Sequence, residues 1–153
     1  MSSRDMMAND RASAALGMVV EADEPGRAVV SMRVRDDMTN GFGITHGGLV
    51  FALADTTFAI ACNEDDRVTV AVGAEIDFVR SSVSGELLRA TAERRVRQGR
   101  RGVYDVTVTD EAGEVVALFR GRAVVTDRPA PPSVEKADAA AEAGEPAPGR
   151  LAP

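Results

Sequence analysis

Apolar and polar positions alternate along most of the chain, on both sides of one long apolar run. LGMVVEAD and RAVVSMRV, residues 16–23 and 27–34, alternate around the turn EPGR, which predicts a hairpin. From residue 68 onward, VTVAVGAEIDFV, ELLRATAERRVRQ, GVYDVTVTD and EVVALFRGRAVVT carry period-two patterning and β-branched residues. SSVSGE, QGRR and DEAGE separate them as turns. Within GVYDVTVTD, Tyr104, Val106 and Val108 oppose Val103, Asp105, Thr107 and Thr109, and the polar side of ELLRATAERRVRQ is rich in arginine. Between the two sets lies HGGLVFALADTTFAIAC, residues 46–62, apolar nearly all round. Such a helix must be covered on most sides. Two strands, one apolar helix and four long strands make an α+β fold, with a curved antiparallel sheet wrapped around the helix as its simplest cover.

Length and composition narrow the setting. The 153 residues suit one domain with a real core, and 44% of them are hydrophobic. From Arg128 the sequence turns to RPAPPSVEKADAAAEAGEPAPGRLAP, rich in Pro, Ala and Glu and without apolar periodicity. Such a segment buries too little surface to offset its ordering entropy. The expected organisation is a flexible N-terminus over 1–9, a folded domain over 10–127 and a disordered tail over 128–153. A formal net charge of −6 argues against a nucleic-acid partner. A single cysteine, Cys62, and a single histidine, His46, leave neither a disulfide framework nor a Cys- or His-based metal centre. MSSRDMMANDRASAALG lacks the apolar stretch of a secretory signal, and no uncharged run reaches the roughly 18 to 20 residues of a membrane span. The expectation is a soluble, cytoplasmic protein.

The apolar helix carries the candidate chemistry. Gly47 and Gly48 stand where its first N–H groups lack intrahelical partners and its dipole is positive, a ready acceptor for an oxyanion or a polarised carbonyl. A tight entry to the helix explains the glycines equally well. Asp55 sits among Leu53, Ala54, Phe58, Ala59 and Ile60. A carboxylate is expensive to bury unpaired, so Asp55 either lines a site or faces a solvent stripe with Thr56. It lies eight residues after Gly47, about 12 Å along a straight helix. No reacting carbonyl touches both on one helix, and an isologous homodimer with antiparallel helices would bring Asp55 of one subunit to Gly47 of the other. His46 reads as a cap or a positioning group, because no orienting partner for a general base is evident from spacing. Asn40 offers an amide, and Asn-Gly is also a turn signal. Cys62 reads as packing. ERRVRQGRR, residues 93–101, reads as a solvated strand face or a phosphate patch.

The run N-G-x-G-x-x-H-G-G-x-x-F-x-L-A-D-T-x-F-A, from Asn40 to Ala59, resembles the hotdog-fold acyl-CoA thioesterases, and more closely the PaaI-type thioesterases of phenylacetate degradation. IDFVR, GVYDVTV and VALFRGRA resemble that subgroup too, so the similarity covers about residues 10–126. It implies a hotdog fold and hydrolysis of an aryl-acetyl-CoA, such as a (hydroxy)phenylacetyl-CoA, to free acid and CoA. By the same resemblance, Asp55 is nucleophile or general base, the Gly47 N–H polarises the carbonyl, and Asn40 and His46 position substrate or water. Gly48, Thr56, Arg80, Arg100 and Arg101 become candidate substrate contacts, the arginines for CoA phosphates. The resemblance also implies a site shared across a homodimer, with two dimers pairing into a tetramer, and no cofactor beyond the coenzyme A of the substrate. Two positions depart from the pattern. Ala71, with Thr69 and Gly73 nearby, stands where some relatives carry a hydroxyl beside the attacking water, and Ser81 stands where the subgroup often has Pro. A non-catalytic acyl-CoA-binding protein and a hotdog dehydratase are the alternatives.

Overall fold

The computed structural model describes residues 3–131. Two short helices, α1 (Ser3–Met7) and α2 (Arg11–Ala15), precede the hairpin of β1 (Val19–Glu24) and β2 (Arg27–Arg33). Gly26 closes that hairpin at φ +74, a backbone conformation that favours glycine. After a 3-10 turn at Asp36–Met38 comes the 16-residue helix α3 (Gly47–Cys62). Then follow β3 (Arg67–Phe78), β4 (Leu87–Gln98), β5 (Arg101–Thr109) and β6 (Val115–Pro129). The six strands form one sheet in the order β1-β2-β4-β5-β6-β3, with every pairing antiparallel.

The sheet curls around α3 because each inner strand turns its apolar set to one side. Val30 and Met32, Leu88 and Ala90, Tyr104, Val106 and Val108, and Phe119 and Ala123 are all buried, with Leu53, Ala54, Phe58 and Ala61 of the helix in the same cluster. Phe58 sits at the centre, its ring 5.6 Å from Tyr104 and 5.8 Å from Phe119. Gly121 permits this approach, since a Cβ there would lie 2.7 Å from the Phe58 ring. The helix has one face turned from the sheet, carrying Gly48, Ala52, Asp55, Thr56 and Ala59, while Phe51 packs edge-on against Phe119 of β6, ring centroids 5.3 Å apart. The N-terminal helices reach part of that face: the Ser13 and Thr56 hydroxyls are 3.0 Å apart, and Met6, Met7 and Leu16 pack against the core.

The strands and the long helix fall where the alternation places them. Within the N-terminal segment 1–9, residues Ser3–Met7 form α1; helices of five residues leave no periodicity to read. β6 runs past the boundary at residue 127, held through Pro129 by pairing with Arg67. The tail expected from residue 128 lies, from residue 132, outside the described residues. Among the described residues no helix is long and apolar enough to cross a membrane.

Candidate active site

The chain enters α3 through a turn that uses its own polar groups. The Asn40 N–H donates to the Ile44 carbonyl at 2.8 Å, and the Asn40 carbonyl accepts from the Gly43 N–H at 3.0 Å. Asn40 Oδ1 accepts from the Phe42 N–H at 2.9 Å, and Gly43 takes φ +74. Phe42, at the tip, is 90% exposed. Thr45 ties this turn to the segment after β3, its hydroxyl 2.7 Å from that of Ser82 and its N–H on the Ser82 carbonyl at 2.8 Å. The turn signal at Asn40-Gly41 is therefore real, and it uses the oxygen of the amide. The amide nitrogen has no acceptor among the described residues.

His46 is the N-cap of α3. Its extended backbone, φ −62 and ψ 126, lets Nδ1 accept the Gly48 N–H at 3.0 Å. A neutral ring that accepts at Nδ1 carries its proton on Nε2, so the face left to a ligand is a donor. That arrangement favours the positioning reading over a general base. The preceding N–H, of Gly47, begins the helix with no acceptor among the described residues, at the positive end of the dipole. It opens on a cleft of about 210 Å³ lined by Asn40, Ile44, Val50, Phe78, Arg80 and Val116, among others. A Cβ on Gly47 would sit 3.1 Å from the Phe78 ring, so the side wall closes on the bare backbone.

Asp55 lies eight residues farther along the same unbroken helix. It is half-buried on the face turned from the sheet, and among the described residues it has no hydrogen-bond or ion-pair partner. Burial pushes its carboxyl above the ordinary aspartate value. Thr56 is committed to Ser13, and Gly48 is exposed with its N–H on His46. The structure thus gathers Asn40, His46, Gly47, Gly48 and Arg80 at the helix start, and leaves Asp55 two turns away within one chain.

The three arginines separate. Arg80 lines the Gly47 cleft and pairs with Asp110. Arg100 and Arg101 lie at the β4–β5 hairpin; Arg100 is held by Asp127 at 2.5 Å and lines a different cleft with Glu64, Asp65 and Asp66, beyond the other end of α3. Of the departures from the family pattern, Ala71 is exposed on β3, whereas Thr69 is turned inward, its N–H 2.8 Å from Asn63 Oδ1 and its buried hydroxyl unpartnered. The hydroxyl nearest in sequence is thus withdrawn from the outer face. Burial also pushes the Cys62 thiol up to about 12, which fits a packing role. Phe78 and Val116 were not legible as site residues, since only the β3–β6 pairing brings them to the cleft at residue 47, and Asp110 was not legible because it reaches that cleft only through Arg80.

Comparison with known proteins agrees with this architecture. Residues 42–117 match the thioesterase superfamily. The chain is 43% identical over 117 residues to the acyl-coenzyme A thioesterase PaaI of Escherichia coli, covering 76% of this chain and 84% of that one. The structure of the E. coli PaaI protein from the phenylacetic acid degradation operon superposes with a TM-score of 0.79 at 40% identity, over 81% of this chain and 90% of that one. A Streptococcus mutans protein bound to acetyl CoA superposes with a TM-score of 0.70 at 25% identity, over 74% and 91% of the two chains. With the sheet, its central helix and this degree of likeness in hand, the chain belongs to the thioesterase superfamily, as a hotdog-fold acyl-CoA thioesterase of the PaaI type.

Proposed function

We propose that the enzyme hydrolyses aryl-acetyl-CoA thioesters, such as (hydroxy)phenylacetyl-CoA, to the free acid and CoA, in the cytoplasm and with no cofactor beyond the substrate's own coenzyme A. The observation that carries this reading is the split along α3 of two groups without partners among the described residues: the N–H of Gly47 and the half-buried carboxylate of Asp55, about 12 Å apart. The thioester carbonyl lies against the Gly47 N–H, with the Asn40 amide and His46 Nε2 holding substrate or water. Asp55 from a second subunit attacks the carbonyl, expelling the CoA thiolate and giving a mixed anhydride that water hydrolyses to the free acid, or takes a proton from water that attacks the carbonyl and expels the thiolate. On either route negative charge grows on the carbonyl oxygen, where the helix end stabilises it. Origin of the PaaI relative in a phenylacetic acid degradation operon supports the aryl-acetyl acyl group.

The dimer this requires has support in the edge strand β3. Val70, Val72 and Phe78 of β3, with Val79 just after it, are four of the nine large apolar side chains exposed among the described residues, and Phe78 closes on Gly47 at the start of α3. A second copy covering that strip would bring the helices together and put each Asp55 near the other subunit's Gly47; two such dimers form the tetramer. Sedimentation that finds only monomers in an active preparation overturns the shared site. The deciding assay is thiol release from phenylacetyl-CoA, its hydroxylated forms, benzoyl-CoA and short and long acyl-CoAs, with Asp55→Asn alongside. The expected result is preference for aryl-acetyl substrates and a loss of at least about a hundredfold in turnover for the variant. Near-full activity of Asp55→Asn removes Asp55 from the mechanism. Absence of thiol release on every substrate favours an acyl-CoA-binding protein or a dehydratase instead.

A further inference from the structure

Two buried hydroxyls belong to the wall of the cleft at the start of α3. Thr45 is 6% exposed and Ser82 is 3% exposed, both line the cleft, and their oxygens lie 2.7 Å apart. The Thr45 N–H, on the Ser82 carbonyl at 2.8 Å, holds the two residues together. Each hydroxyl carries one hydrogen. One of the two hydrogens closes the contact between the oxygens, whichever way it runs. The other has no acceptor among the described residues.

An unspent hydrogen at a buried position costs free energy and calls for a partner. Other buried hydroxyls of this chain spend theirs internally: Thr57 on the Leu53 carbonyl at 2.7 Å, Ser13 on Asp10 at 2.6 Å, and Ser31 on Glu21. The Thr69 hydroxyl has no partner, but it does not line this cleft. The Thr45–Ser82 pair also stands close to the proposed reacting centre. Thr45 is two residues before Gly47, and Ser82 is four residues after Phe78, whose ring would lie 3.1 Å from a Cβ on Gly47. The cleft of about 210 Å³ is lined by no carboxylate that could take the hydrogen. A ligand oxygen placed against the Gly47 N–H supplies the missing acceptor.

We propose that the free hydroxyl hydrogen of the Thr45–Ser82 pair donates to the thioester carbonyl oxygen, as a second oxyanion donor beside the Gly47 N–H. This rests on the thioesterase reading of the same site and adds a donor to it. The pair makes and breaks no covalent bond. Its hydroxyl keeps its hydrogen, and the hydrogen bond strengthens as negative charge grows on the carbonyl oxygen, so the contact acts on kcat.

A cycle of Thr45→Val, Ser82→Ala and the double variant separates the fold from the reaction. Each single variant leaves one buried hydroxyl without its neighbour, so its unfolding midpoint is expected to fall. The double variant removes both hydroxyls and is expected to regain part of that loss. Turnover of phenylacetyl-CoA is expected not to follow stability: the double variant loses at least about tenfold in kcat, with KM changed less, although it folds better than the single variants. The single variant that shares this loss identifies the donor. Thr45→Ser, which keeps a hydroxyl, is expected to stay near wild-type kcat. Activity that tracks stability across the cycle, a double variant with full kcat, or a loss confined to KM overturns the proposal. Calorimetric binding of phenylacetyl-CoA keeps the two readings apart. A wild type that releases no thiol refutes hydrolysis; weaker binding by the folded double variant then still keeps the hydrogen bond to the ligand, and unchanged binding removes it as well. An active wild type beside a folded double variant of full kcat refutes the donor alone.

Discussion

The two ends of α3 treat their polar groups in opposite ways. At the C-terminal end nearly everything is paired. Asn63 Nδ2 donates to the carbonyls of Ala59 and Thr69, both at 3.0 Å, and its oxygen accepts the Thr69 N–H. Glu64 takes Arg94 and Arg97, and Asp65 takes Arg97, which holds the Asp65 carboxyl below its ordinary value. At the N-terminal end the Gly47 N–H and the Asn40 amide nitrogen have no acceptor among the described residues, and the cleft they face is walled by a half-exposed Phe78. Paired groups stabilise a fold; donors left facing a cleft are a cost that a ligand removes. The difference teaches that this helix is fastened at one end and left ready to bind at the other.

Variants can break that comparison. The largest effect is expected from Gly47→Pro. Proline is well suited to the first position of a helix, and His46 already has the extended backbone that a following proline demands. The substitution removes one N–H donor, and turnover is expected to fall about a hundredfold to a thousandfold, the range for losing an oxyanion donor. Gly47→Ala meets Phe78 at the same place but keeps the donor, so it separates crowding from chemistry in the same kinetic assay. A Pro variant no worse than the Ala variant would assign the Gly47 backbone a steric role only.

The opposite pattern is expected at the other end. Asn63→Ala forfeits three hydrogen bonds at a buried position and should cost about 2 kcal/mol in denaturant unfolding, with kcat unchanged. A drop in kcat without a drop in stability would erase the contrast between the ends.

The smallest effect is on stability and concerns Asp55, between them. Burial raises its folded-state value, so the group favours the folded state most at low pH, and that contribution is lost as pH rises through the folded value. Asp55→Asn should therefore unfold at a higher temperature than wild type at neutral pH, with the gain shrinking toward zero below about pH 4, the ordinary aspartate range. Because the proposed reaction uses the Asp55 carboxylate, the acid limb of kcat/KM in wild type should lie above that range. A variant less stable than wild type at neutral pH would mean that Asp55 has a partner in the assembly.

Legibility differed by residue for physical reasons. Asp55 stood out because a charge inside an apolar run is costly wherever the run packs. Gly47 stood out because a helix start after glycine-rich sequence exposes donors whatever the rest of the fold does. Asp110 gave no such signal: in DEAGE it reads as a turn residue, and it does serve the turn, but its second oxygen holds an arginine thirty positions earlier in the chain. The role of α2 was equally hidden, since Ser13 acquires meaning only by meeting Thr56.

The sequence by itself determined the alternation that makes six strands, the apolar run that makes one buried helix, and the residue types at the helix start, because these depend on local period, backbone freedom and the cost of a buried charge. Tertiary structure alone decided which wall closes on Gly47, which arginine shares its cleft and which are spent elsewhere. Those outcomes depend on strand order and register, which bring together side chains that no local rule relates.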